Sequence, residues 1–441
     1  MVLSARAAAL TALERCRRDG VWSGAAIDNA IKKYALDKRD SAFAATLCLG
    51  VLQNSSLCDY YIDLYRSRTS DKLEPKVRDI LRLGVYQLLF MTRVPARAAV
   101  NETVELCRSG SLSRAAGLVN AVLRRVSENR DNLPEVPDKG TAQYLSTRYS
   151  HPLWLCQRIM DEFGYDFAEG FLSCNNNAPE LDIQLNRLKT DWRSYSQLLT
   201  ECGIEHRVHE FPEGCLSLAG GNVAKLPGFE DGLFYVQDRA ARIAAELACA
   251  KPGMRVLDAC AAPGGKSLAM AIGMHNQGSI TSCDISEKKL GLISDNARRL
   301  GIDIISVEKR DARSYDETMA ESYDLVMADV PCSGLGVIGK KPEIRLKKAD
   351  EISGLPEIQL AILENLSRYV KPGGVLIYST CTVLKPENED VVNTFLTGHS
   401  DFALEQIQLE NMLFHGGMHT FWPHIDGTDG FFAARLIRKA L

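Results

Sequence analysis

The sequence predicts a multidomain chain: an all-helical N-terminal domain, a small α+β middle module, and a C-terminal doubly wound, Rossmann-like α/β domain. Three observations predict it. Apolar residues in the first 130 positions recur at the three-and-four spacing of one helical face, as in Val77, Leu81, Val85 and Leu88, or Val119, Val122, Leu123 and Val126. Beyond Gln237, five short apolar runs alternate with amphipathic stretches, the pattern of parallel strands joined by crossover helices. The proline-bearing stretch DNLPEVPDKG, residues 131–140, has the composition of a linker. Boundaries at 1–133, 141–235 and 236–441 follow.

In the middle module, SHPLWLCQRIMDEF and DWRSYSQLLTEC are helix-like, LDIQLN is a strand, and the Gly- and Pro-rich stretch that ends it predicts turns between short strands. The C-terminal strands are MRVLDA, SITSCD, DIISVE, YDLVMAD and GVLIYST. FALEQIQL and GFFAARLIRK are expected to add edge strands, the second antiparallel.

Composition narrows the function. No run approaches the roughly 20 apolar residues of a membrane helix, and the N-terminus lacks the charged-then-apolar layout of a signal peptide, so a soluble cytoplasmic protein is expected. The 13 cysteines scatter without a CxxC pair, which argues against a zinc or disulfide scaffold and predicts no metal. The net charge of −4 hides an asymmetry: residues 1–130 carry 21 Lys and Arg against 13 Asp and Glu, the remainder 31 against 43. A basic front suits a polyanionic partner, although a solvated helical face would carry the same charge.

MRVLDA runs through a glycine-bearing loop into a helix, at the carboxyl end of a strand where open parallel sheets bind ligands. The loop holds Cys260, Ala261, Ala262, Pro263, Gly264, Gly265 and Lys266. It contains GKS, but a phosphate-binding P-loop needs glycine where Cys260 stands, and no GxGxxG is present. Asp284 ends the second strand, 20 residues past Gly264, a spacing that suits a ribose. Asp311 follows the third strand and Asp329 ends the fourth. With Asp258, these four strand-end carboxylates should face one crevice. That crevice would repel a triphosphate and accept a nucleoside ligand.

Cys332 follows the fourth strand and Cys381 the fifth, so two thiols from adjacent strands should converge there. A thiolate that adds to carbon 6 of cytosine turns carbon 5 into a nucleophile for an electrophilic methyl group. Asp329 is placed to protonate or hydrogen-bond the ring's N3 and amino edge. Spacing alone does not decide which thiol attacks and which assists release.

DACAAPGGKS, DVPCSGLGVI and YSTCTV, in this order, resemble the RNA cytosine-5 methyltransferases of the NOL1/NOP2/Sun family. KVRDILRLGVYQLLFMTRVPARAAVNETVEL and AAGLVNAVLRRV resemble the NusB-type helical RNA-binding domain, and the whole chain is similar to the bacterial 16S ribosomal RNA branch of the family. The resemblance implies S-adenosylmethionine as cofactor, with S-adenosylhomocysteine as product, bound by the 260–266 loop with Asp284, Asp311 and Asp329. It assigns Cys381 as nucleophile, Cys332 to adduct breakdown, Asp329 to the ring edge and Lys266 to charge neutralisation near the substrate. The implied partner is 16S rRNA before subunit assembly is complete, met by a monomer away from membranes.

VQD (236–238), PENE (386–389) and DGTDGFF (426–432) also match the family, but less decisively, and read as structural. Gln184 stands where arginine is usual and Gly339 where a basic residue is common, departures that bear on RNA contacts rather than chemistry. A non-catalytic RNA-binding or antitermination factor would suit the helical domain alone, but it has no use for paired thiols beside a glycine loop. A methyltransferase for proteins or small molecules has no use for the basic front.

Overall fold

The computed structural model describes residues 4–66, 72–108, 112–409 and 412–440. These form two compact units: Met1–Asn177 with Ile338–Ala349, and Ala178–Val337 with Asp350–Leu441.

The first unit is helical. Helices Ala5–Asp19, Ser23–Tyr34, Lys38–Gln53, Ser55–Tyr65, Pro75–Phe90, Ala96–Arg108 and Ala116–Asn129 surround one core. Their starts carry the expected signals: Ser4 accepts from the Ala7 N–H, Asp37 from the Asp40 N–H, and Pro75 opens its helix. Of the periodic residues, Val77, Leu81, Val85, Val119, Val122, Leu123 and Val126 are buried, while Leu88 is only partly so. A Cβ at Gly50 would lie 2.0 Å from the Tyr86 ring, so glycine lets two helices approach closely there. Helices Ala142–Tyr149, Leu153–Phe163 and Tyr165–Cys174 belong to this unit too.

The excursion Ile338–Ala349 is anchored within the helical unit. Glu343 accepts from the Ser23 N–H at 2.9 Å, the Trp154 indole donates to Lys347 O at 3.1 Å, and Lys341 lies 5.0 Å over Trp22. Among the described residues no single helix is long and apolar enough to cross a membrane.

The second unit opens with an antiparallel sheet in the order β2-β3-β1-β4, formed by β1 (Leu181–Leu185), β2 (His206–Val208), β3 (Cys215–Leu218) and β4 (Phe234–Val236). Helix Trp192–Glu201 buries Tyr195 and Leu199 against it, with Ile183, Leu216 and Phe234. Next come β5 (Arg255–Asp258), β6 (Ser279–Asp284), β7 (Ile305–Lys309), β8 (Tyr323–Asp329) and β9 (Val370–Thr380), all mutually parallel. FALEQIQL divides: β10 (Phe402–Leu404) joins the large sheet, while β11 (Ile407–Leu409) forms a separate two-stranded sheet with β12 (Met412–Phe414).

β13 (Met418–Phe421) and β14 (Phe431–Arg438) complete the eight strands, with β14 antiparallel to β9 as expected. The order is β10-β14-β9-β8-β5-β6-β7. Strand order therefore reverses between β5 and β8, and the crevice beyond their carboxyl ends is where such sheets place ligands.

Candidate active site

β5 ends at Asp258, and the chain turns through residues 260–266 into helix Gly265–Gly273. The Ala261 N–H donates to Cys283 O and the Gly264 N–H to Ala261 O, each at 2.7 Å. Gly264 has φ +107°, and a Cβ there would meet Ile293 at 3.2 Å, so the turn needs glycine. The Ala262–Pro263 peptide bond is cis. The first turn of the helix leaves N–H groups without intrahelical partners at the crevice.

The strand-end carboxylates do not share one environment. Asp284 accepts from the Ser286 N–H at 2.8 Å through one oxygen, and its other oxygen has no partner among the described residues. Asp311 is gripped by Arg313 at 3.0 and 2.6 Å, which holds its carboxyl below the ordinary range. Asp258 is wholly enclosed and takes the Ser267 hydroxyl at 2.6 Å, while Ser267 also meets the Ser282 hydroxyl at 2.7 Å. Burial pushes Asp258 up to about 7. It is sealed inside the protein rather than open to a ligand, a correction to the expectation that all four would face a crevice. Burial likewise pushes the Cys260 thiol up, so this loop cysteine is a small apolar group.

The two thiols converge. Cys332 Sγ and Cys381 Sγ are 3.2 Å apart. The Cys332 thiol is held well above its ordinary range, first by the hydrogen bond with Cys381 and then by burial, so it stays protonated. Beside the pair, Lys266 Nζ meets Asp329 Oδ2 at 2.7 Å and the Ser379 hydroxyl donates to Asp329 Oδ1 at 2.8 Å. Lys266 is 8% exposed and lies 5.0 Å over the Phe431 ring, so it is no solvated helix-start lysine. This ion pair links the 260–266 loop to the end of β8, from which the chain runs to Cys332.

Several participants went unmarked in the sequence. Ser267, Ser282 and Ser379 are too common a residue type to signal anything. DGTDGFF supplies Phe431 beneath Lys266 and Gly430, whose N–H donates to Gly336 O at 2.8 Å; Gly336 N–H in turn donates to Cys381 O at 3.0 Å. A Cβ on Gly336 would lie 1.9 Å from Gly430 O. From VQD, Asp238 caps helix Arg239–Glu246, and the Gln237 side chain lies against Gly265. Gln184 is 1% exposed and donates to Gln237 O at 3.0 Å, so that departure sits in the interior. Gly339 lies in the helical unit, where an added Cβ would come 3.4 Å from Asn175 O. Among the described residues, no group of three His, Cys, Asp or Glu is placed to hold a metal ion.

Residues 246–437 match the family described as 16S rRNA methyltransferase RsmB/F, residues 3–128 the NusB family, and residues 151–224 a ferredoxin-like domain of RsmF/B-like methyltransferases. The chain is 35% identical over 446 residues to the probable ribosomal RNA small subunit methyltransferase B of Bacillus subtilis, covering 99% of both chains. It is 32% identical to the ribosomal RNA small subunit methyltransferase B of Serratia proteamaculans, covering 93% of both. The crystal structure of PH0851 superposes with a TM-score of 0.81 at 28% identity, over 99% of each chain.

Proposed function

This chain belongs to the 16S rRNA methyltransferase RsmB/F family, and on that premise we propose that it transfers a methyl group from S-adenosylmethionine to carbon 5 of a cytosine in 16S rRNA through a covalent Cys381 adduct. The observation that carries this reading is the contact of two sulfurs at 3.2 Å beside the Lys266–Asp329 pair. A binding factor has no need of such an arrangement.

The residues present fit the cofactor. The free Asp284 oxygen can take a ribose hydroxyl, the helix-start N–H groups can take a carboxylate, and the surrounding carboxylates disfavour phosphates. Cys260, Ala261, Ala262, Pro263, Gly264, Gly265 and Lys266, with Asp284, Asp311 and Asp329, would hold it. Bound there, S-adenosylmethionine supplies an electrophilic methyl group and leaves as S-adenosylhomocysteine.

Cys381 adds its sulfur to carbon 6 of the cytosine, which makes carbon 5 nucleophilic. Asp329, oriented by Lys266 and Ser379, hydrogen-bonds the N3 and amino edge of the ring. After transfer the carbon 5 proton passes to solvent water, its bonding pair re-forms the carbon 5–carbon 6 double bond, and the sulfur leaves carbon 6 as a thiolate. Cys332, held as a thiol, donates a hydrogen bond to the departing Cys381 sulfur. The basic helical domain, residues 1–133, and the middle module, residues 141–235, would bind the RNA. The setting is a cytoplasmic monomer acting on 16S rRNA before subunit assembly is complete.

The test uses full-length protein, methyl-labelled S-adenosylmethionine and transcribed 16S rRNA, with bisulfite sequencing of the product. Cys381→Ser is expected to abolish transfer, a loss of about a thousandfold or more. Cys332→Ala is expected to leave RNA attached to protein on a denaturing gel. Full activity in Cys381→Ser overturns the reading.

A further inference from the structure

Both reactive sulfurs sit on irregular chain. Cys332 follows the end of β8 and Cys381 the end of β9, where neither ladder nor helix fixes the backbone. Yet a contact of 3.2 Å between side chains 49 residues apart requires both turns to be held in register. Something other than regular hydrogen bonding holds them.

The segment PENE runs behind the two turns. Glu387 accepts the Ser333 N–H at 2.8 Å and the Gln359 amide at 3.0 Å on the same oxygen. Its other oxygen faces the Thr382 hydroxyl at 3.5 Å, and that hydroxyl meets the Ser333 hydroxyl at 2.7 Å. Gln359 also donates to Pro331 O at 3.0 Å. Asn388 takes the Thr380 hydroxyl at 2.6 Å and donates to Thr382 O at 3.1 Å. Pro331 and Ser333 flank Cys332; Thr380 and Thr382 flank Cys381. Each neighbour of each thiol is thus tied, directly or through Gln359, to Glu387 or Asn388.

Glu387 is 2% exposed and has no Lys, Arg or His ion pair among the described residues. Burying a carboxylate without a cation is unfavourable, so its hydrogen-bond partners must offset the lost hydration. What a carboxylate offers is acceptor capacity with no donor of its own, and its three partners here all donate. An amide would turn an N–H toward one of them.

We propose that Glu387 is a positioning residue for methyl transfer: by gripping the Cys332 and Cys381 turns together it holds their sulfurs at contact distance, and without it the pair separates. The inference rests on the reading of these cysteines as the reacting pair. A displacement of about 1 Å at a reacting centre costs roughly a hundredfold in rate.

The experiment compares wild type, Glu387→Gln and Glu387→Ala in the full-length protein. Phenylarsine oxide bridges two thiols only when they lie within contact distance, so peptide mass spectrometry of the natively treated protein reads the geometry at Cys332 and Cys381 without turnover. Glu387→Ala is expected to lose that bridge and about a hundredfold in kcat, with KM for RNA and affinity for S-adenosylmethionine within twofold of wild type. Glu387→Gln is expected to fall between, since it keeps shape and one acceptor oxygen, and it decides the matter should the alanine variant not fold. Retention of the bridge, or of wild-type kcat, in the variants overturns the proposal. Failure of the function itself is read separately: wild type would then bridge the arsenical yet form no covalent complex with RNA carrying 5-fluorocytosine.

Discussion

Among the described residues each compact unit holds a buried charged side chain with no ion pair, Arg345 in one and Glu387 in the other, and the two do opposite jobs. In the helical unit Arg345, 6% exposed, donates to Gln53 O, to Tyr149 O at 3.0 Å, Ser150 O at 3.3 Å, Asn175 O at 3.1 Å and Asn176 Oδ1 at 2.6 Å. Gln53 and Tyr149 are the last residues of their helices and Asn175 caps a third. Helix C-termini present carbonyls with no intrahelical partner and the negative end of the dipole, so a buried cation belongs there. In the sheet unit Glu387 faces the Ser333 N–H and the Thr382 hydroxyl from two turns, so a buried anion belongs there. Where regular hydrogen bonding stops, one charge of the right sign gathers the leftover groups, and those groups choose the sign.

The comparison can be broken at either charge. Arg345→Leu leaves the carbonyls of three helix ends unsatisfied and is expected to destabilise the helical unit by about 3–5 kcal/mol, read as an earlier transition in urea. Arsenical bridging at Cys332 and Cys381 should survive in folded protein; its loss would show that the two devices are not local. A smaller effect comes from the ligand. S-adenosylmethionine at a hundredfold excess over its Kd should add about 2.7 kcal/mol to the unit that carries the crevice, and an unmoved denaturation curve with any adenosyl ligand argues against the site.

The smallest expected effect concerns the sealed Asp258. The folded state raises Asp258 from about 3.9 to about 7, so between those pH values it keeps a proton that the unfolded chain has released. That contribution to stability is whole below pH ~4 and is lost as pH rises through ~7. Relative to Asp258→Asn, which cannot titrate, wild type is expected to lose about 2.6 kcal/mol between pH 5 and pH 8 in urea titrations. Parallel curves for the two proteins contradict the burial argument.

Much of the site was legible because its chemistry is local in sequence. The loop 260–266 lies next to a strand, Cys332 and Cys381 follow strands, and five apolar runs implied that those strands adjoin. What stayed illegible depends on partners far along the chain. Asp258 and Asp284 look alike at strand ends, yet one is enclosed by Ser267 and Ser282 and the other keeps an open oxygen. PENE read as structural, and nothing in its spacing shows that Glu387 meets Ser333 54 residues earlier. Helices Ala142–Tyr149 to Tyr165–Cys174 read as part of the middle module; they fall in the same compact unit as the helical domain, while residues 151–224 match the ferredoxin-like module.

The sequence by itself determined the element types, the parallel order implied by alternating apolar runs and helices, and the residues able to do covalent chemistry. These follow from periodicity and side-chain reactivity, which are properties of short stretches. Only the tertiary structure decided that the 338–349 excursion belongs with the helical unit, that Asp258 is sealed from solvent, and which buried charge braces which turns. Burial and hydrogen-bond partnership arise between residues tens to hundreds of positions apart, and no local pattern records them.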